Sequence, residues 1–159
     1  MYNRQDIRIK IGENGFDVRA CGILLEGEQL LISNEPEGSR TLTGGAVKTG
    51  ETTAEAVIRE FQEETGLAVE VVKLVAIIEN FLIYQNADYH QFIYVYGLKR
   101  KMTAVGMPVL AGEEKLLPQW VKFDKFDSKD LRPKILNEVV GYYQDHPQGE
   151  IIHLLQREG

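Results

Sequence analysis

Residues 44–67, GGAVKTGETTAEAVIREFQEETGL, leave the chain little choice of local structure. Thr52 or Thr53 can cap the start of a helix, and Gly66 can end it in a left-handed turn. Thr52 with Glu55 also fits a capping box, in which each side chain satisfies the other's backbone N–H. At roughly 100° per residue, Ala54, Val57, Ile58, Phe61 and Thr65 fall on one side. Arg59, Glu60, Glu63 and Glu64 fall on the flank beside it. The helix is therefore expected to have a core face and an acid face.

Three carboxylates at i, i+3 and i+4 repel one another by a few tenths of a kcal/mol per pair. A hard divalent cation would offset that repulsion, because Mg²⁺ or Mn²⁺ prefers oxygen ligands and keeps positions for water or phosphate. Arg59, one turn before Glu63, can neutralise part of the cluster or orient a carboxylate. A solvated acidic helix face is the competing reading of the charge pattern alone.

The spacing favours the cation. Gly45, five residues, Glu51, seven residues, then Arg59-Glu60-Phe61-Gln62-Glu63-Glu64-Thr65-Gly66-Leu67 match the Nudix box at every specified position. The sequence thus resembles the Nudix hydrolases, which cleave a nucleoside diphosphate linked to some other group. The resemblance implies an α/β fold, an α/β/α sandwich with a mixed central sheet. It also implies a Mg²⁺-dependent enzyme, with Mn²⁺ as a substitute, and Glu60, Glu63, Glu64 and a Gly44 or Gly45 carbonyl around the metal. Arg59 would orient the acids, Glu51 would position the loop, and Glu60 could take a proton from the attacking water. In many members a loop glutamate shortly before a tryptophan joins the cluster or acts as the base. Glu114, six residues before Trp120, fits that place, with Glu113 next. Many members have proline where Thr43 stands, a departure that removes no ligand.

With 159 residues, the chain suits one domain, residues 1–159, and can bury about two-thirds of its unfolded surface. Its net charge of −6 argues against an extended nucleic-acid surface, which needs clustered Lys and Arg. A small nucleotide can still bind through metal and a few cations. Cys21, the sole cysteine, excludes an internal disulfide and reads as a buried structural thiol. No signal peptide and no apolar run long enough for a membrane span is present, so a cytoplasmic location is expected.

Along the chain, residues 6–11 alternate, 12–15 turn, 16–25 and 29–33 read as strands, and 34–40 as a loop. Arg40 in that loop is a candidate phosphate or base contact. Residues 41–47 bring a short strand into Gly44-Gly45, where missing side chains allow close backbone approach to a metal or phosphate. After the helix, 69–82 reads as a long strand bent near Lys73, 86–88 as a turn and 89–98 as the returning strand. Residues 99–112 read as a connection, 117–123 as a strand, 134–143 as an amphipathic helix that packs on the sheet, and 151–155 as a last strand. That last strand either extends the sheet edge or serves a homodimer; dimers are frequent in the family.

Substrate assignment rests on the resemblance. Glu79-Asn80-Phe81 with Tyr89-His90 resembles a bacterial subgroup in which these residues line the cleft, which makes His90 a candidate. A tyrosine beyond the box marks dinucleoside polyphosphate enzymes, and Tyr84 stands near that position; Leu82 and Ile83 stand where ADP-ribose enzymes carry proline. Nucleoside triphosphates, nucleotide sugars such as ADP-ribose and dinucleoside polyphosphates are the expected substrate classes. The alternative is a non-catalytic nucleotide-sensing regulator or binding module that keeps the fold.

Overall fold

A computed structural model describes residues 4–101, 118–123 and 131–157. Strands β1 (Arg8–Ile11), β2 (Asn14–Glu26) and β3 (Gln29–Asn34) follow one another in antiparallel pairs. The tight turns between them are set by Gly12 and Gly27, both at positive φ. The expected strand over 41–47 is divided into β4 (Arg40–Leu42), which pairs with β3, and β5 (Gly44–Ala46), which pairs with β2. The chain changes partner at the buried Thr43. Its carbonyl accepts from the Gly22 N–H at 3.0 Å, and its hydroxyl lies 2.9 Å from that of Ser33.

Helix α1 (Thr53–Thr65) starts at Thr52, whose hydroxyl accepts from the Glu55 N–H while the Glu55 carboxylate accepts from the Thr52 N–H. It ends at Gly66 with φ of 73°. Its buried residues are Ala56, Val57, Phe61 and Thr65, so Ala56 rather than Ala54 completes the core face. Fully burying side chains such as Val57 and Phe61 stabilises the docking of this helix by roughly 1.5–3 kcal/mol each.

Strands β6 (Val69–Tyr84) and β7 (Ala87–Arg100) form a hairpin longer than expected. Gln85 and Asn86, at φ of 52° and 62°, make a two-residue turn whose twist suits the flanking strands. Register shifts between Val71 and Lys73 and between Leu74 and Ala76 place the irregularity where the sequence suggested a bend. Strand β8 (Pro118–Lys122) pairs with β3, helix α2 (Ile135–Asp145) follows, and β9 (Ile152–Arg157) adds in parallel to β6.

The main strand order is β4-β3-β2-β7-β6-β9, and the sheet is mixed because β2–β7 and β6–β9 run parallel. One edge of β2 meets β7 from Gly15 to Leu24, while its other edge takes β1, β5 and β3 in turn. Alternation along the strands divides the core by face. Ala20, Leu24, Val69 and Leu98 pack with Val57 and Phe61 of α1, whereas Cys21, Ile23, Ile78, Ile93 and Val95 pack with Leu136, Val139 and Val140 of α2. Burial pushes the Cys21 thiol up to about 12, as a structural thiol requires. No helix among the described residues is long and apolar enough to cross a membrane.

Candidate active site

The acid flank is built from three neighbouring elements: β5, the turn at Gly50, and the second half of α1. Arg59 is its hub. Its Nη2 donates to Glu51 Oε1 at 2.7 Å and to the Ala46 carbonyl at 3.1 Å, and its Nε donates to Glu51 Oε2 at 3.1 Å. Its Nη1 donates to Glu60 Oε1 at 3.0 Å and Glu63 Oε2 at 3.1 Å. The fork of a guanidinium suits this work because it presents several N–H groups in one plane. Burial opposes ionisation of Glu51, yet hydrogen bonds from Arg59 and the Lys48 N–H, with their charges, hold its carboxyl below the usual range. Glu51 thus ties the glycine turn to the helix.

Of the three expected metal acids, Glu60 touches both Arg59 and Glu64. Glu60 and Glu64 share a hydrogen bond, while Glu63, with a side chain 55% exposed, is drawn to Arg59 one turn back. Among the described residues no three acidic, histidine or cysteine side chains stand together as an ion-binding group. Arg59 Nη1 stands between Glu60 and Glu63 and neutralises part of their charge. Burial pushes the Glu64 carboxyl up to about 8, and the charges of Glu60 and Glu35 act in the same direction against the relief from Arg19. A carboxyl so raised by burial holds its proton near neutral pH.

That retained proton has a measurable consequence. The folded state binds more protons than the unfolded chain between the ordinary 4.5 and about 8. Raising pH through that window therefore weakens the fold when no cation is bound. Thermal unfolding in chelator should show a midpoint falling across the window, and the Glu64 contribution to that fall should vanish in Glu64→Gln. Equal slopes in the two proteins would contradict the assignment.

Gly44 and Gly45 play different parts. A Cβ on Gly44 would lie 2.2 Å from the Ala20 carbonyl oxygen and 2.6 Å from the Cys21 Cα, backbone that cannot yield. A Cβ on Gly45 would lie 2.6 Å from the Glu60 carboxylate, the mobile end of a side chain. Gly44→Ala is accordingly expected to destabilise the protein by about 1–3 kcal/mol in chemical denaturation. Gly45→Ala should fold normally and lose its activity, because Glu60 must move.

The same two glycines form one wall of a cleft of about 500 Å³ on the α2 face of the sheet. Arg19 of β2, Glu35 after β3, Asn80 of β6, Gln91 of β7 and Arg132 before α2 also line it. Arg19, one residue from the buried Ala20, brings its charge to bear on Glu35, Glu64 and Cys21. Burial and the neighbouring Glu37 raise the Glu35 carboxyl, against the pull of Arg19. None of Arg19, Glu35 or Gln91 stood out in the sequence. The usable signal was parity, since Arg19 and Gln91 sit in step with the core residues Cys21 and Ile93.

Other candidates fall elsewhere. Ser39 and Thr41 line the cleft, whereas Arg40 between them does not; its backbone carbonyl accepts from the Arg132 N–H. Tyr84, 56% exposed, sits at the hairpin tip against Tyr89. His90 lies on the α1 face with Phe16, Phe81 and Phe92 around its ring, and it lines a smaller hollow with Asp88 and Arg157. Alternation explains the separation, since Gln91 faces one side of the sheet and His90 the other. Glu113 and Glu114 lie outside the described residues.

The NUDIX domain family matches residues 15–143 of the chain. A curated relative is the ADP-ribose pyrophosphatase of Methanocaldococcus jannaschii, 32% identical over 101 residues, 61% of this chain and 56% of that protein. The match thus spans little more than half of that relative's length. Among solved structures, an ADP-ribose pyrophosphatase from Streptococcus suis superposes with a TM-score of 0.61 at 17% identity, covering 86% of this chain and 98% of that one. A MutT NUDIX hydrolase from Burkholderia pseudomallei gives a TM-score of 0.60 at 24% identity, covering 79% and 98%. A NUDIX hydrolase from Nitrosomonas europaea gives 0.65 at 17%, covering 89% and 79%. At these identities the solved structures speak to the fold.

Proposed function

This chain belongs to the NUDIX domain family, and we propose that it is a divalent-cation-dependent hydrolase of a nucleoside diphosphate linked to another group. The observation that carries this reading is the contact of Glu60 with Glu64 and with the bare Gly45, at the wall of a cleft that contains Arg19. The donor set fits Mg²⁺ or Mn²⁺: its oxygens are hard, two carboxyls are already forced together, and the adjacent backbone carries no Cβ. Glu60 and Glu64, joined by the more exposed Glu63 and a Gly44 or Gly45 carbonyl, would hold the cation. When bound, it supplies polarisation of phosphoryl oxygens and acidification of a water molecule.

The chain's own residues do the rest. Arg19 takes phosphate oxygens from the cleft side. Arg59 fixes Glu60 in place, and Glu51 fixes Arg59 through two hydrogen bonds. Glu60 would accept the proton of the attacking water, with Glu114 as the other candidate base. A free carboxylate of pKa near 4.3 is a weak base at neutral pH, so acidification of the water is needed.

ADP-ribose is the first substrate to test, because the curated relative carries that activity in its name. Products from ADP-ribose, nucleoside triphosphates and dinucleoside polyphosphates should be identified with and without Mg²⁺. Release of AMP and ribose 5-phosphate from ADP-ribose only with the cation is the expected result. Turnover of no member of the panel would sink the hydrolase reading.

A further inference from the structure

Four polar residues stand side by side across the α2 face of the sheet. The registers place Asp17 of β2 opposite Gln91 of β7, Gln91 opposite Asn80 of β6, and Asn80 opposite Gln156 of β9. Asp17 and Asn80 are only 2% and 3% exposed, so solvent does not satisfy them. Gln91 and Asn80 line the cleft.

The polarity of this row follows from its first member. Asp17 Oδ2 accepts from the Tyr89 hydroxyl at 3.0 Å and from Gln91 Nε2 at 3.4 Å, with Arg8 Nε 3.8 Å away. A carboxylate facing a guanidinium only accepts, so Gln91 must turn its nitrogen to Asp17 and its oxygen to Asn80. Asn80 Nδ2 accordingly donates to Gln91 Oε1 at 2.9 Å. Asn80 Oδ1 is then left buried without a partner. At the far end, Gln156 Oε1 accepts from the Ile135 N–H at the start of α2, and its Nε2 makes no hydrogen bond to Asn80 Oδ1. A buried acceptor without a partner costs free energy that an incoming N–H group can recover.

We propose that Asn80, oriented by Asp17 through Gln91, is the specificity residue for the base, and that it selects a base carrying an exocyclic amino group. The inference rests on the cleft being the nucleotide site. Asn80 lies two strands across and two residues along from Arg19, about 12 Å between Cα positions at ordinary sheet spacings. That span suits a nucleoside whose diphosphate reaches Arg19 and the glycine wall. Leu82, Pro133 and Leu136 supply the apolar surface for the ring.

Titration calorimetry of the full chain with ADP and with the diphosphate of purine riboside, which has hydrogen in place of the amino group, tests the assignment. ADP should bind on the order of tenfold more tightly. In Asp17→Asn the ratio should collapse toward one, because an amide at position 17 can donate to Gln91; Gln91 then turns over, and Asn80 turns with it, giving its Oδ1 to Gln91 Nε2 and leaving a donor at the base position. A purely structural row would weaken both ligands and leave the ratio unchanged. Equal affinity of the wild-type chain for the two diphosphates, or affinity for neither, overturns the inference, and this readout needs no folded variant. A preference for ADP in a protein that turns over no linked nucleotide would instead sink the hydrolase reading and leave the base assignment standing.

Discussion

Glu64→Gln is expected to cut Mg²⁺-dependent turnover by on the order of 10³, about 4 kcal/mol of transition-state stabilisation, because a carboxylate around the cation becomes a neutral amide. The same substitution should raise the melting temperature of the cation-free protein above neutral pH. The two effects have one cause. Burial and the charge of Glu60 make the ionised Glu64 costly in the folded state, and an amide removes that cost while keeping a hydrogen-bond donor for Glu60. Parallel measurement of kcat and of thermal midpoint in chelator separates this outcome from general damage. Loss of activity with loss of stability would mean that Glu64 is a structural acid. Glu63→Gln should also remove turnover with the fold intact, since its exposed side chain contributes little to packing.

Arg59→Ala should be the most destabilising substitution on the acid flank, by about 3–5 kcal/mol, the usual consequence of leaving one partner of a buried ion pair behind. Glu51 is the stranded partner: its side chain is only 5% exposed, and both of its oxygens accept from Arg59. Arg59→Lys should recover only part of the loss, because an ammonium cannot span Glu51, Glu60 and the Ala46 carbonyl in one plane. Urea denaturation at neutral pH gives the difference directly. A loss below about 1 kcal/mol, the scale of an exposed ion pair, would mean that the guanidinium is not holding the turn to the helix.

Local structure was easier to read from the residues than pairing was. The capping box at Thr52 and the left-handed Gly66 depend on residues within a few positions of one another, so the limits of α1 follow from the chain itself. Two things depended on long-range register instead. The parallel joining of β2 to β7 brings Asp17 beside Gln91, 74 residues on, and no local pattern specifies it. The division of 41–47 into β4 and β5 arises because the chain leaves β3 for β2 at Thr43. A polar residue at a strand position reads as solvent-facing when taken alone. Asp17 and Gln91 escaped notice for that reason, although each shares parity with buried apolar neighbours, and Asn80 was marked only through its resemblance to a cleft-lining stretch.

The acid flank shows a similar limit. Spacing put Glu60, Glu63 and Glu64 on one side of α1, and they are there. It suggested Arg59 as a partner one turn before Glu63 but did not show that Glu60 would lie between Arg59 and Glu64. Which carboxylate pairs with which neighbour depends on β5 and the Gly50 turn, since Glu51 occupies one side of the guanidinium and leaves Nη1 for the helix acids.

The most direct test is the rate of AMP release from ADP-ribose as Mg²⁺ is titrated from zero, with wild-type protein and Glu64→Gln side by side. A saturable rise in the wild-type chain and a flat line in the variant are expected. Release without added cation in the presence of chelator, or superimposable curves for the two proteins, would contradict the assignment of the acid flank as the cation site.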